Sequence, residues 1–380
     1  MGGNYVDALT SEDYAVAAAG KTVAKWRVRD NLLGGPSWCP TVRRSAALDQ
    51  ALAVPFVENI RQLTNRYPPE LLRRAAAYLY SKETRSTYAI EHEDIPPADR
   101  RERFVQALST AGQGTASEQL GEAALVDLQR LILDERYAAA TFRTVQNYVG
   151  ESRLTREIVH YACPPPELVR PMMDGLARAA ERMRGCNAVL TSAVTSFGFV
   201  FIHPFEDGNG RTHRFLIHDA LLRGGVVPKG VIVPVSATME RNKAAYDDAL
   251  EQYSRPMQQQ VTYSLDDRGK LTMLNPGLMS ASYRFPDLTA QVIYLARTLD
   301  TCIREEFADE LKFLSSFDAA RVGVRDIVDV PDRRLDLFIK LVWQNKGRLG
   351  ANKRDLFAEL TAEEIGRMEG AVRAAFNLAA

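Results

Sequence analysis

The chain is poor in the features that would place it quickly. Its 380 residues include four cysteines, Cys39, Cys163, Cys186 and Cys302. The shortest gap between them is 23 residues and none forms a C-x-x-C pair. That spacing excludes a zinc cluster and a disulfide framework, and reads as reduced thiols in a cytoplasmic protein. There is no excess of charge, because Lys and Arg together (48) equal Asp and Glu together (48). A neutral balance removes the bulk electrostatic argument for a nucleic-acid binder. No uncharged apolar run approaches the ~18 residues needed to cross a bilayer. The N-terminus, Met1-Gly2-Gly3-Asn4-Tyr5-Val6-Asp7, lacks the basic and apolar regions of a secretory signal, and Val6 stands where a myristoylation signal has Ser or Thr. Neither an internal repeat nor a low-complexity tract is visible.

What is present reads as a soluble, mainly helical chain, 46% hydrophobic and 25% charged. Residues 1 to about 45 read as irregular, broken by Gly34-Gly35-Pro36 and Cys39-Pro40. Apolar spacing predicts a helix over 46–63 interrupted near Pro55, a second from Glu70 to about Ser81, and a third starting between Lys82 and Ser86 and ending before Pro96. Further helices are expected over 100–112, 120–133, 137–144, 168–183, 187–201 and 239–253, and again from 287 to the end. Val145 to Pro166, around Gly150-Glu151-Ser152, reads as a β-hairpin, and Val261 to Leu274, around Asp266-Asp267-Arg268-Gly269, as a second. The expected division is 1–100, 101–260 and 261–380.

The densest chemistry lies in His203-Pro204-Phe205-Glu206-Asp207-Gly208-Asn209-Gly210-Arg211-Thr212-His213-Arg214. A glycine-rich loop that feeds a helix start is an anion cradle, since free N–H groups and the positive end of the helix dipole point the same way. Gly208 and Gly210 allow close backbone approach, and Asn209 tolerates a left-handed turn and can offer its amide. Arg211 and Arg214, three apart, share a helix face and can grip two phosphates. Asp207 is a hard oxygen ligand suited to Mg²⁺. His203 is of the type that serves as a general base.

This stretch resembles the signature of the Fic family, H-x-F-x-[D/E]-G-N-G-R-x-x-R, with every fixed position met. The resemblance extends over roughly residues 45 to 260. It implies a Fic-type helical core with a hairpin flap, and transfer of AMP from ATP to a Ser, Thr or Tyr hydroxyl of a target protein. His203 would deprotonate that hydroxyl, and Asp207 would hold Mg²⁺ against the phosphates. Gly208, Asn209 and Gly210 would cradle them, and Arg211 and Arg214 would bind the β- and γ-phosphates. The Val145–Pro166 hairpin falls where the family has the flap that pairs with an extended target segment.

Upstream, Thr87-Tyr88-Ala89-Ile90-Glu91-His92 resembles the family's inhibitory pattern [S/T]-x-x-x-E-[G/N], with His92 in place of Gly or Asn. The resemblance implies that Glu91 pairs with Arg214 and blocks the productive γ-phosphate pose. Downstream, Asn242-Lys243-Ala244-Ala245-Tyr246 resembles the family's helix beside the adenine, with Asp247 in place of a second Tyr. Asn242 and Tyr246 would then touch nucleotide, and packing against the motif helix is the competing assignment. Residues 287–380 show no winged helix and read as a helical packing or dimer-supporting region. Three readings stay open: an autoinhibited adenylyltransferase; a relative that removes AMP or uses another nucleotide or phosphocholine donor; and a nucleotide-responsive regulator.

Overall fold

The computed structural model describes residues 4–93, 97–153 and 156–378. The first three residues of the segment read as irregular, the helix limit at Pro96 and the hairpin tip at Leu154 and Thr155 lie outside these residues. The chain divides into two compact units, Met1–Ile60 with Tyr78–Ile303, and Arg61–Ala77 with Arg304–Ala380.

The larger unit opens with a small sheet rather than an irregular segment. Val28–Asp30 pairs in parallel with Val6–Asp7 and antiparallel with Lys21–Val23. Strands of two or three residues are too short to show alternation, so the sequence pattern carries no trace of them. Helix Ala46–Leu52 follows, its first turn capped by the Ser45 hydroxyl, which accepts from Leu48 N.

Pro69–Ile90 is one 22-residue helix, not two. The polar run from Lys82 to Thr87 resembles a break, yet Glu83, Thr84, Ser86 and Thr87 are all buried. Glu83 and Thr87 find partners on other segments, which local sequence cannot reveal, and the Thr84 hydroxyl donates back to Tyr80 O at 2.8 Å within the helix. The helix leaves through His92, which takes the left-handed conformation at φ 62°. His92 thus supplies the exit for which Gly or Asn is the usual choice.

The centre is helix Ala188–Ile202, apolar on all sides and buried along most of its length. Asn187 caps it by accepting from Val189 N and Leu190 N. A Cβ on Gly198 would lie 2.7 Å from the Trp38 indole, so this glycine permits the close seat of Trp38. Pro166–Arg182 and Asn209–Arg223 flank the central helix. The first hairpin pairs Tyr148–Arg153 with Arg156–Ala162, with a bulge at Val149 and Gly150. The second pairs Tyr263–Leu265 with Leu271–Met273.

Two helix expectations are corrected. Residues 137–144 form no helix beyond a 3-10 turn at Glu135–Tyr137. Two of their backbone donors are taken by side chains: Gln129 Oε1 accepts from Ala139 N at 2.6 Å, and Glu122 Oε1 from Phe142 N at 2.9 Å. The segment expected as one helix over 239–253 is split at Asn242 into Val235–Arg241 and Lys243–Gln260. Asn242 at φ −121°, ψ 56° caps the second helix, a competing local hydrogen bond that residues of this type offer.

In the smaller unit, Ala308–Arg325, Asp332–Gln344 and Ala362–Phe376 enclose a separate apolar cluster. The face read from the sequence, Leu335, Phe338, Ile339 and Val342, is wholly buried in it. Thr361 and Glu364 close a capping box at the last helix. Truncating Phe338 to Ala leaves a hole beside Phe357, whose ring centroid is 5.2 Å away. The expected loss is about 3–5 kcal/mol in denaturant unfolding. Trp343→Ala, at a position 39% exposed, costs less.

Candidate active site

The central helix ends at Ile202, and His203 turns the chain in the left-handed conformation at φ 53°, ψ 60°. A non-glycine residue holds that conformation only where its surroundings enforce it. Here His203 N donates to Phe199 O at 2.9 Å, and Phe205 plugs the core between the rings of Phe142 and Phe199. His203 Nδ1 lies 3.1 Å from Val200 O. A carbonyl only accepts, so Nδ1 carries the proton and Nε2 is the basic atom. Burial, then the nearby Arg143 guanidinium, pushes the His203 pKa down to about 4 against the opposing pull of Val200 O, Glu91 and Asp207. The imidazole is therefore neutral and available at pH 7.

The loop from 205 to 209 is closed by one side chain. Asn209 Oδ1 accepts from Phe205 N at 3.0 Å, and its Nδ2 donates to Phe205 O at 2.8 Å. This differs from the expectation of a free amide aimed at a phosphate: Asn209 is buried and shapes the cradle from behind. Gly208, left-handed at φ 81°, begins helix Asn209–Arg223. Gln129 supports the same turn, donating to Asp207 O at 3.0 Å. The Asp207 side chain is 61% exposed at the mouth. Among the described residues no group of three or more His, Cys, Asp or Glu could enclose an ion. One open carboxylate beside an anion cradle does suit Mg²⁺, which takes one or two protein carboxylates and completes its shell with phosphates and water.

Both motif arginines are held by the helix that ends at Ile90. Arg214, 1% exposed, has Nε bonded to the Thr87 hydroxyl, and its Nη2 donates to Thr87 O at 2.8 Å and Glu91 Oε1 at 2.7 Å. The Glu91 carboxylate lies over Gly210, in the space a Cβ would need. Burial pushes the Glu91 carboxyl up, but Arg214, Arg211 and His203 outweigh it and hold the group below its ordinary range. Arg211 stacks over the Tyr88 ring, 5.2 Å from its centroid, and reaches Glu93 at 3.3 Å and Asp207 at 3.4 Å. One turn further along the motif helix, His218 Nε2 lies 2.6 Å from Glu83 Oε1, and Ser236 N donates to Glu83 Oε2 at 2.8 Å.

The structure thus brings His203, Asp207, Gly210, Arg211, Arg214 and Glu91 into one site. Tyr246 stands behind it, 3% exposed and stacked on His213 with centroids 6.1 Å apart, and it interacts with Arg214. Asn242 is not brought in: its side chain caps its own helix and makes no hydrogen bond to a motif residue. Sequence reasoning missed Gln129, Arg143, Glu93 and the Glu83–His218 pair. None has a spacing signal, because each meets its partner across a large gap in the chain.

Fold and site together define a helical protein that presents a neutral histidine at the mouth of an arginine-lined anion cradle. Residues 119–221 match the Fic/DOC family model, and the chain carries a Fic-family domain. It is 28% identical over 152 residues to protein adenylyltransferase fic-1 of Caenorhabditis elegans, covering 40% of this chain and 28% of the relative. To protein adenylyltransferase Fic of Nematostella vectensis it is 26% identical over 146 residues, 37% of this chain and 30% of the relative. The matches therefore span less than a third of these relatives' length. A Fic domain containing signaling protein from Bacteroides thetaiotaomicron superposes with a TM-score of 0.45 at 20% identity, over 70% of this chain and 97% of that one. A Fic family protein from Desulfovibrio desulfuricans gives 0.40 at 18%, over 74% and 80%.

The depressed His203 pKa has a measurable consequence. The unfolded residue takes up a proton near 6.5 and the folded one near 4. Between those values the unfolded state binds more protons, so this group makes stability fall as pH falls through that window. The His203 ring resonance, assigned by its loss in His203→Gln, is expected to keep its neutral position down to about pH 5. A midpoint at 6.5 or above contradicts the buried, Arg143-flanked environment.

Proposed function

We propose that this chain is a protein adenylyltransferase that moves AMP from ATP to a Ser, Thr or Tyr hydroxyl of a target protein, held in check by Glu91. The observation that carries this reading is the 2.7 Å contact of Glu91 with Arg214 over Gly210, beside a neutral His203 whose Nε2 is basic. In the transfer, Nε2 takes the target hydroxyl proton as the oxygen attacks the α-phosphorus. The bond from α-phosphorus to the bridging oxygen breaks, and pyrophosphate leaves. Arg211 and Arg214 hold the β- and γ-phosphates, and the Gly208–Gly210 backbone lines the cradle. Asp207 is the residue that would hold Mg²⁺, which when bound offsets phosphate charge. Positioning and charge stabilisation dominate chemistry of this type.

The hairpin Tyr148–Arg153 and Arg156–Ala162 would dock an extended target segment by adding a strand, a mode in which backbone bonds give affinity and register. Self-association through the C-terminal helices belongs to the same proposal. So does an intracellular site of action, supported by four cysteines that form no disulfide among the described residues. Among the described residues no helix is long and apolar enough to cross a membrane. As to Asn242, its capping geometry favours a contribution through the helix start, and the burial of Tyr246 favours support of Arg214.

A second reading has one observation in its favour. The Glu91 side chain is 31% exposed, and among the described residues its Oε2 makes no hydrogen bond. That oxygen is placed to orient a water, which would turn the same site to removal of AMP.

Incubation with ATP labelled at the α- or the γ-phosphate separates these readings. Glu91→Gly is expected to raise self-incorporation of α-label at least about tenfold, equivalent to ~1.4 kcal/mol of lost competition for Arg214. His203→Ala in that background abolishes it. No rise in Glu91→Gly removes the inhibitory assignment, label from the γ position alone removes AMP transfer, and loss of label on adding unmodified chain favours the second reading.

A further inference from the structure

Arg143 is a buried cation that the reaction described above does not use. It is 4% exposed, and among the described residues no carboxylate lies within ion-pair distance of it. Carbonyl oxygens from two parts of the chain surround it instead. Nε donates to His203 O at 2.7 Å, Nη1 to Val145 O at 2.8 Å, and Nη2 to Pro164 O at 2.7 Å with a longer approach to Ile202 O at 3.5 Å. Its own backbone N donates to Pro204 O at 2.8 Å. Burying a charge without a counter-ion is expensive, so the carbonyls must be held firmly in place to offset the lost water.

The placement of those carbonyls is the informative part. Val145 precedes the first hairpin strand, which begins at Tyr148, and Pro164 follows the second, which ends at Ala162. One planar guanidinium therefore binds both legs of the hairpin and the first residue of the motif. Two other ties join hairpin and site. Asn147 Nδ2 reaches Phe205 O and Glu206 O at 3.3 and 3.2 Å, and the Tyr161 hydroxyl donates to Phe201 O at 2.7 Å. Neither bonds to His203. The His203 carbonyl points where its left-handed backbone sends it, and Arg143 captures it there.

We propose that Arg143 is a positioning residue for transfer: it locks the hairpin base to the backbone of His203 and so fixes the gap between a strand docked on the hairpin and the basic nitrogen. The proposal rests on the functional reading of His203 and the hairpin given above. It gives the guanidinium a purpose that a neutral filler of the same volume cannot serve. Its fork delivers donors in three fixed directions, whereas a lysine ammonium is a point charge that satisfies fewer of them. The phosphate-binding groups Arg211, Arg214 and Asp207 make no bond to Arg143, so the two functions are separable.

The test uses the full chain in the Glu91→Gly background, comparing Arg143→Gln and Arg143→Lys with the parent. Arg143→Gln is expected to lower the rate of AMP self-incorporation at least about tenfold while ATP affinity changes less than about twofold. Arg143→Lys restores part of the rate. At fixed pH 7 the His203 ring resonance moves in Arg143→Gln while that of His218 stays. A parallel fall in ATP affinity and rate overturns the proposal, because the whole site has then loosened. An unchanged rate, or an unmoved His203 resonance, also overturns it. The resonance is read whether or not the chain transfers AMP, so absence of α-label in the Glu91→Gly parent defeats the functional reading and leaves this assignment to be decided by the spectrum. Should Arg143→Gln not fold, Arg143→Lys gives the same readings.

Discussion

The site is organised by the need of one buried guanidinium for a partner. Arg214 is 1% exposed, and an uncompensated charge at such depth costs several kcal/mol. Two kinds of anion can meet that need: a carboxylate from the chain itself, or the phosphates of a nucleotide. In the structure it is Glu91, aided by the hydroxyl and carbonyl of Thr87. The contact belongs to a ladder. Along the helix Pro69–Ile90 and its exit, residues 83, 87 and 91 face residues 218, 214 and 210 of the motif helix in antiparallel order. Spacing by four on both sides keeps each set on one helix face. Glu83 meets His218, Thr87 meets Arg214, and the Glu91 carboxylate fills the place over Gly210.

This ladder gives the proposed restraint a physical form. In the proposed reaction a nucleotide would have to displace one carboxylate from Arg214, and a second lies close by, since Glu93 reaches Arg211. The left-handed turn at His92 sits between these two acidic residues, with Glu91 on Arg214 and Glu93 on Arg211. The buried rungs, Glu83 and Thr87, need not break for this to happen. Release of the rim can therefore be local, a shift of a few residues at a helix end where backbone bonds are already fewest. A ligand can move that equilibrium only as far as it binds the open form better than the closed one.

The parts of this arrangement differ in how far the sequence discloses them, and the difference follows chain distance. His203 to Arg214 is legible because its residues are neighbours and each type has a chemical reason to be there. Glu91 is legible through a short pattern. The helices around the site are legible wherever apolar periodicity alone decides, as at Ala188–Ile202. Reading fails where a distant partner overrides local preference. The alanines at 138–140 favour helix, yet Gln129 and Glu122 take the donors such a helix needs. The polar stretch from Lys82 to Thr87 reads as a break, yet Glu83 and Thr87 find partners more than a hundred residues away. Asn209 reads as a donor to substrate, yet its amide is buried and bonded through both Oδ1 and Nδ2 to the Phe205 backbone. Arg143 has no local signal, because the carbonyls of Pro164, Ile202 and His203 reach it from distant segments.

The same electrostatics bears on when His203 is an effective base. Burial and Arg143 hold its pKa near 4, and Glu91 and Asp207 oppose them. A base so depressed is neutral at pH 7 but weak, and proton transfer is most efficient when the pKa lies near the working pH. Displacement of Glu91 alone would weaken it further by removing a negative charge. A bound polyphosphate reverses this, since it brings more negative charge to the cradle than the one carboxylate it replaces. Under the proposed function, the proton affinity of Nε2 would rise with the donor phosphate in place and fall with the cradle empty. In the proposed reaction, the exchange of anions on Arg214 therefore does two things at once: it opens the phosphate site, and it strengthens the base at its mouth.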